Sequence, residues 1–433
     1  MKINRIALSI MVVLLLSALV LSATAQEPVT LRYFTPFSGD SDDKERELIA
    51  ICESELGVTV DYTNVTGTGV GELMAELRAQ ATAGQLPDVF WMSSGFVDEF
   101  AQDGLLYNIQ EFVDRDIMPV ADDYFTASFD AGRWPSKSDG DMYAFPNHFV
   151  ETVLYYNVDA FDAAGLEYPA EGWTWDDFLA AAQALTIDTN SDGLMDQYGY
   201  YFFGRYAHVE SWVYQNNGRW LNDDKTRFEP DDAAIEAVEF LNALVNEFGV
   251  APTPAEMEGI DNPFAQGIAA MWVDGSWAIG GLRDSEINFA LASIPRGPQW
   301  VEDTAYGWSD MTAVGATTAH PEEAWALIRC LTGENRTPEL VEDGKIPVYR
   351  ASAGDAWLET DQLPTNKDFL LAWADYIGPT SFTPGWGEWR GYVGGAGLQG
   401  QLTEAFNGNI SVADAIATAG NVANDVLARF YGE

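Results

Sequence analysis

Positive charge is scarce in this chain. There are 22 Lys+Arg against 67 Asp+Glu, a formal net charge of −45. Holding a polyanion takes clustered Lys and Arg, so nucleic acid is excluded as a partner. The surplus of carboxylates reads either as attraction for a cationic ligand or as a well-solvated surface. Net charge bears on solubility and association, not on the contents of a pocket, and the solvated surface is the simpler reading. Histidine is limited to three residues, and His148 has no partner at metal-ligand spacing. Cysteine is limited to Cys52 and Cys330. There is no internal repeat, no low-complexity linker and no G-x-S-x-G nucleophile motif. Beyond residue 25 no apolar run is long enough to span a bilayer.

What is present begins with a leader. Lys2 and Arg5 precede an apolar run from Ile6 to Leu21, followed by Ser22-Ala23-Thr24-Ala25 with small residues at the A-x-A positions. That order is a secretory signal. Cleavage is expected after Ala25, leaving Gln26 to Glu433 periplasmic or extracellular; an uncleaved anchor is the alternative. No cysteine follows the small residues, so lipid attachment is not expected. The remaining chain suits two domains better than one. With 47% hydrophobic and 13% aromatic residues it is globular.

Val29 to Thr35, Val58 to Val65 and Pro87 to Trp91 read as strands, separated by helices over Asp42 to Leu56 and Glu72 to Ala83. Such alternation indicates βαβ units around a parallel sheet. Met142 to Phe145 and Thr152 to Tyr156 read as two more strands, with Pro146 to Glu151 between them. Thr174-Trp175-Asp176-Asp177 opens a helix with a T-x-x-D capping pattern, and Ala233 to Phe248 is another. Ala269 to Val273, Ile287 to Ile294 and Thr312 to Ala316 return to strand character. The last third is helical, with Val412, Ile416, Val422, Val426 and Phe430 as a closing apolar stripe.

Several short patterns occur together and in order. They are Leu86-Pro87-Asp88-Val89-Phe90, Phe100-Ala101-Gln102-Asp103-Gly104-Leu105-Leu106, Leu154-Tyr155-Tyr156-Asn157, and Phe161-Asp162-Ala163-Ala164-Gly165. Thr174-Trp175-Asp176-Asp177-Phe178 follows, then Phe264-Ala265-Gln266-Gly267 ahead of Gly275-Ser276-Trp277, then Pro321-Glu322-Glu323-Ala324-Trp325. As a set they resemble the extracellular solute-binding protein family that includes the maltose-binding protein, over nearly the whole mature chain. The resemblance implies an α/β, two-lobe periplasmic binding protein fold of type II, with discontinuous lobes, a multi-strand hinge and a ligand cleft between the lobes. It places residues 26–149 and 290–332 in the N-terminal lobe, and 150–289 and 333–433 in the C-terminal lobe. It implies a monomer that takes up a sugar or oligosaccharide and delivers it to an ABC transporter permease, without catalysis and with no required cofactor.

A sugar offers apolar C–H faces and a rim of hydroxyls. Aromatic rings cover the faces, while carboxylates, amides and Arg pair with the hydroxyls. There are 15 Trp, and many lie in loops beside Gly, as in Pro384-Gly385-Trp386-Gly387-Glu388-Trp389-Arg390. Trp277 matches the family's stacking Trp in the G-x-W pattern. Trp386 and Trp389 lie in the late segment that supplies another aromatic. Trp91 ends the L-P-D-V-F strand, His148 and Glu151 lie in the first crossing between lobes, and Asp310 precedes the return strand. Core packing is the alternative for each Trp, and a hinge hydrogen bond for Glu151.

Asp188, Asn190, Asp192 and Asp196 offer oxygens at positions one, three, five and nine of a calcium loop, with Gly193 at six and the Leu194 carbonyl at seven. Position twelve is Gly199, not the usual bidentate Glu. A structural Ca2+ is one reading; a turn satisfied by its own side chains is the other. For the cysteines, the family likeness puts Cys52 and Cys330 on helices that pack on one sheet. That leaves a disulfide open beside plain burial. Two rival functions stand. An exported glycoside hydrolase on a (β/α)₈ barrel should show about eight strand–helix units, and fewer are found. The same fold could bind a polyamine or other cation through cation–π contacts.

Overall fold

The computed structural model describes residues 28–37, 39–65, 70–118, 123–350, 352–353, 362–378, 382–392 and 397–432. The leader, residues 1–25, lies outside them. The order opens with β1 (Thr30–Thr35), α1 (Asp40–Leu56), β2 (Thr59–Asn64), α2 (Val70–Thr82) and β3 (Val89–Ser93). β1 pairs in parallel with both β2 and β3, as crossover helices require. Gly57 ends α1 in the left-handed region at φ 67°, its N–H bonding the Glu53 carbonyl, a conformation glycine adopts without a Cβ penalty.

β4 (Ala144–Asn157) is buried along nearly its whole length. Its second half lies between β5 (Met271–Gly275) and β6 (Phe289–Ala292). Its first half pairs with β7 (Gly307–Val314), which pairs on its other edge with β3. A short β8 (Ile346–Pro347) pairs with His148 and Phe149 of β4. One strand thus belongs to both lobes, and the crossing lies at Glu151 and Thr152. From sequence, 142–145 and 152–156 read as separate strands, with Pro146 to Glu151 between them. The structure carries the strand through with a bulge: the register slips between Pro146 and His148, and Asn147 Oδ1 accepts the Thr312 hydroxyl at 2.6 Å.

Strand pairing also moves the expected lobe limits. Residues 289–292 pair with the second half of β4, so the chain regains the first sheet at Gly307, not at 290. Residues 333–347 stay with the first lobe. Arg336, itself buried, bonds Glu45 of α1 at 2.7 Å and Glu339 at 2.9 Å, and β8 follows. Backbone pairing and a buried ion pair set these limits, and neither has a local sequence signal.

The second lobe holds α3 (Trp175–Ala184), α4 (Tyr206–Gln215) and α5 (Asp232–Asn246); Thr174 and Asp177 form the anticipated capping box of α3. α4 has no solvent face to read, because all its residues are buried, His208, Glu210, Ser211 and Gln215 included, and these polar groups bond inward. α6 (Pro321–Thr332) returns to the first lobe. α7 (Trp386–Trp389), α8 (Leu398–Phe406) and α9 (Val412–Tyr431) complete the second. Among the described residues no helix is long and apolar enough to cross a membrane.

Cys52 on α1 and Cys330 on α6 are joined in a disulfide, with Cα atoms 5.8 Å apart. Their helices share an apolar core with Leu31, Leu48, Leu327 and Leu331. The bond closes a loop of 278 residues, for which chain entropy gives about 4–5 kcal/mol. Replacing both cysteines by Ala should lower the stability of the first lobe by up to that amount, measured by guanidinium melts of oxidised wild type and variant. Superimposable melts would contradict it.

Candidate ligand-binding cleft

Where β4 and β7 pass between the lobes, aromatic rings from both converge. Trp308 and Asp310 occupy alternate positions of β7 and so share a face. The Trp308 ring lies 5.1 Å from Trp277 and 5.3 Å from Tyr206. Tyr206 in turn lies 5.5 Å from Trp386 and 5.1 Å from Tyr392. Phe96 reaches the same cluster from the first lobe, 6.1 Å from Trp386. Gly95 makes that approach possible: a Cβ there would sit 3.2 Å from the Phe382 ring and 3.3 Å from that of Trp386.

Polar groups surround the rings. Arg205 precedes α4, with its guanidinium carbon 5.3 Å from the Trp277 centroid and 5.6 Å from that of Tyr206. Its Nη1 donates to Asp274 Oδ2 at 3.2 Å, and Asp274 Oδ1 accepts the Gly275 N–H at 2.8 Å. Burial pushes the Asp274 carboxyl up, but Arg205, His208 and the Gly275 amide together hold it below its usual range. His208 Nδ1 accepts the Phe203 N–H at 3.2 Å, which puts the proton of the neutral ring on Nε2, 3.6 Å from Asp274 Oδ2. Burial lowers the His208 pKa in spite of the carboxylate, so the ring is neutral at pH 7. Across the hinge ladder His148 Nε2 lies 2.9 Å from Asp310 Oδ2. Glu151 is fully buried at the crossing, where its carbonyl accepts the Ser276 N–H at 2.8 Å.

A cavity of about 410 Å³ adjoins the cluster, bounded by Ser94, Ser128 and Lys137 of the first lobe, Lys225 and Phe382 of the second, and Trp308. Rings, a guanidinium and carboxylates set side by side offer stacking faces, donors and acceptors, which is the equipment for orienting a polar ligand.

Of the residues singled out from sequence, Trp277 and Trp386 stand in the ring cluster, and His148 and Asp310 meet each other. Trp389 does not reach the cluster. It is fully buried, its ring 5.8 Å from Phe228 and its Nε1 donating to the Thr383 hydroxyl at 3.0 Å, so it is core. Trp91 is buried 6.0 Å from Phe37. The strand runs on to Ser93, and Phe96 takes the cleft position instead. The Asp188–Asp196 loop turns its oxygens inward. Asp188 Oδ2 accepts the Gly193 N–H at 2.9 Å, Asn190 Oδ1 that of Asp192 at 2.8 Å, and Asp192 Oδ1 that of Leu194 at 2.9 Å. Asp196 Oδ2 accepts the Thr189 N–H at 2.7 Å. Each of these side chains thus accepts a backbone amide of the loop and keeps a second lone pair, and among the described residues no three His, Cys, Asp or Glu side chains converge as metal ligands. Sequence reasoning missed Trp308, Arg205, Tyr206, Asp274, Phe96 and Tyr392. Two had a signal: Trp308 lies two residues before Asp310, on the same strand face, and Asp274 lies three before Trp277.

A family model described as bacterial extracellular solute-binding protein matches residues 42–335. A putative binding protein of Brucella abortus is 23% identical over 388 residues, 86% of this chain and 88% of that one. The maltooligosaccharide ABC transporter solute-binding lipoprotein of Streptococcus pneumoniae is 23% identical over 325 residues, 74% and 72%. Among solved structures, an ABC substrate-binding protein of Listeria monocytogenes in complex with cycloalternan superposes with TM-score 0.80 at 20% identity, covering 94% of this chain and 99% of that one. The likeness is one of fold: two α/β lobes of the type II periplasmic binding protein class.

Trp277 folds back over Gly275, where a Cβ would lie 1.7–2.1 Å from its ring carbons. Gly275→Ala should therefore keep β5 paired but force the indole into a different rotamer. A crystal structure of the variant with Trp277 unmoved would contradict this packing.

Proposed function

The chain belongs to the bacterial extracellular solute-binding protein family, and we propose that it captures a sugar or oligosaccharide between its lobes and delivers it to an ABC transporter permease. The observation that carries the reading is the cluster of Trp277, Trp308, Tyr206 and Trp386 at the hinge, bordered by Arg205, Asp274 and Asp310. Rings of this kind stack on C–H faces, and Arg205 and Asp310 pair with hydroxyls, whose pattern then sets specificity. The names of the Streptococcus relative and of the Listeria structure, with its bound cycloalternan, support a carbohydrate.

In this reading the chain is a monomer that binds one ligand without chemistry. Ligand contacts to both lobes bias the hinge at residues 151–152 and 306–307 toward closure, as in other periplasmic binding proteins. That bias is limited to the ligand's differential affinity for the two states. The chain is exported by its leader. The Streptococcus relative is a lipoprotein, whereas no cysteine follows Ser22 to Ala25 here.

A cationic ligand is the second reading. It is favoured by one observation: Asp310 adds a partly exposed carboxylate to the aromatic faces. A thermal-shift screen over sugars and polyamines separates the two, since a ligand of the native state raises the melting temperature by mass action. A sugar should stabilise wild type, and Trp277→Ala should cost roughly 1–3 kcal/mol of its binding. Stabilisation by polyamines alone would overturn the sugar assignment.

A further inference from the structure

Arg205 does not reach the face of Trp277 unaided. Its side chain is 31% exposed, so it borders the cleft, whereas the Asp274 carboxylate that holds it is almost fully buried. Asp274 is fixed in turn by the Gly275 N–H, which bonds Oδ1 at 2.8 Å, and the His208 Nε2 stands nearby, 3.6 Å from Oδ2. His208 is set by the Phe203 N–H on its other nitrogen. A guanidinium carries five N–H donors in a rigid planar fork. Asp274 and the Tyr206 hydroxyl beside it cannot accept all of these.

We propose that Asp274 is a positioning residue for ligand recognition: it lays the Arg205 guanidinium across Trp277, so that the remaining donors of the fork face the ligand. Asp274 itself, buried behind Arg205, does not touch the ligand. The ligand acceptor that fits the fork is a pair of neighbouring oxygens, such as a vicinal diol of a sugar ring. The proposal rests on the sugar-binding reading for its ligand and on the ligand-free geometry for its mechanism.

Two readouts keep these apart. In the ligand-free, full-length mature chain, the indole N–H signal of Trp277 is identified by its loss in Trp277→Phe. It should move in Arg205→Ala, because a charge leaves its face. It should move in the same direction in Asp274→Asn, with the other indole signals in place. Maltotriose is the binding probe. Asp274→Asn should weaken it about tenfold, the scale of a hydrogen bond to a charged group, and should add no further loss on top of Arg205→Ala. Arg205→Lys, partly exposed and sure to keep the charge, should lose as much as Arg205→Ala, since an ammonium has no fork. A Trp277 signal that moves in Arg205→Ala but not in Asp274→Asn overturns the proposal, as do additive losses in the double variant. If wild type binds neither maltotriose nor any sugar of the thermal-shift screen while both signals move as stated, the positioning stands and the sugar reading fails.

Discussion

Every feature of the cleft depends on one backbone ladder. β4 and β7 run antiparallel from Ala144–Ala313 to Glu151–Gly307, and the Thr152 N–H extends the pairing to the Tyr306 carbonyl at 2.8 Å. Beyond that point β4 is enclosed by β5 and β6. Buried amides and carbonyls must be paired, so this ladder cannot be interrupted at the lobe boundary without leaving polar groups stranded. The constraint fixes Trp308 and Asp310 on one face of the crossing and brings β5, with Asp274 on it and Trp277 two residues past its end, alongside. Gly307 belongs to the same device: a Cβ would lie 2.7 Å from the Val150 carbonyl.

Cations are scarce, and several are placed where charge is costly. Arg390 and Glu210 are both buried and bonded through two nitrogens, at 2.5 and 2.8 Å. Arg336 holds Glu45 and Glu339 in the first lobe. Removing one partner of such a pair costs about 3–5 kcal/mol, because the other charge remains buried. Glu210 is on α4, next to Tyr206 and Arg205, and Arg390 follows α7, next to Trp386. One ion pair therefore locks together the two segments that supply most of the second-lobe rings. The acidic surface and the cleft are separate matters: the net charge of −45 lies largely on exposed residues, while opposite charges are matched inside.

Much of the fold could be read from the chain. The β1–α1–β2–α2–β3 order, the capping box at Thr174 and the final helix follow from local periodicity and hydrogen-bonding chemistry. What could not be read is tertiary in origin. β4 is continuous in spite of Pro146 because Thr312, far away in sequence, accommodates the bulge. α4 has no solvent face because α5, β4 and β5 pack around it. The lobe limits follow strand pairing that only the folded chain defines. In the cleft, G-x-W singled out Trp277, yet Trp386 and Trp389, three residues apart, go to different surroundings: one faces Phe96 and Tyr206, the other Phe228. Loop spacing does not carry that distinction.

The account turns on where the ligand sits. A crystal structure of the mature chain with a sugar that raises its melting temperature tests this most directly. The account predicts sugar density between the lobes, against Trp277 and within hydrogen-bonding distance of Arg205. Well-ordered sugar bound elsewhere, with the ring cluster unchanged and empty of ligand, would contradict it.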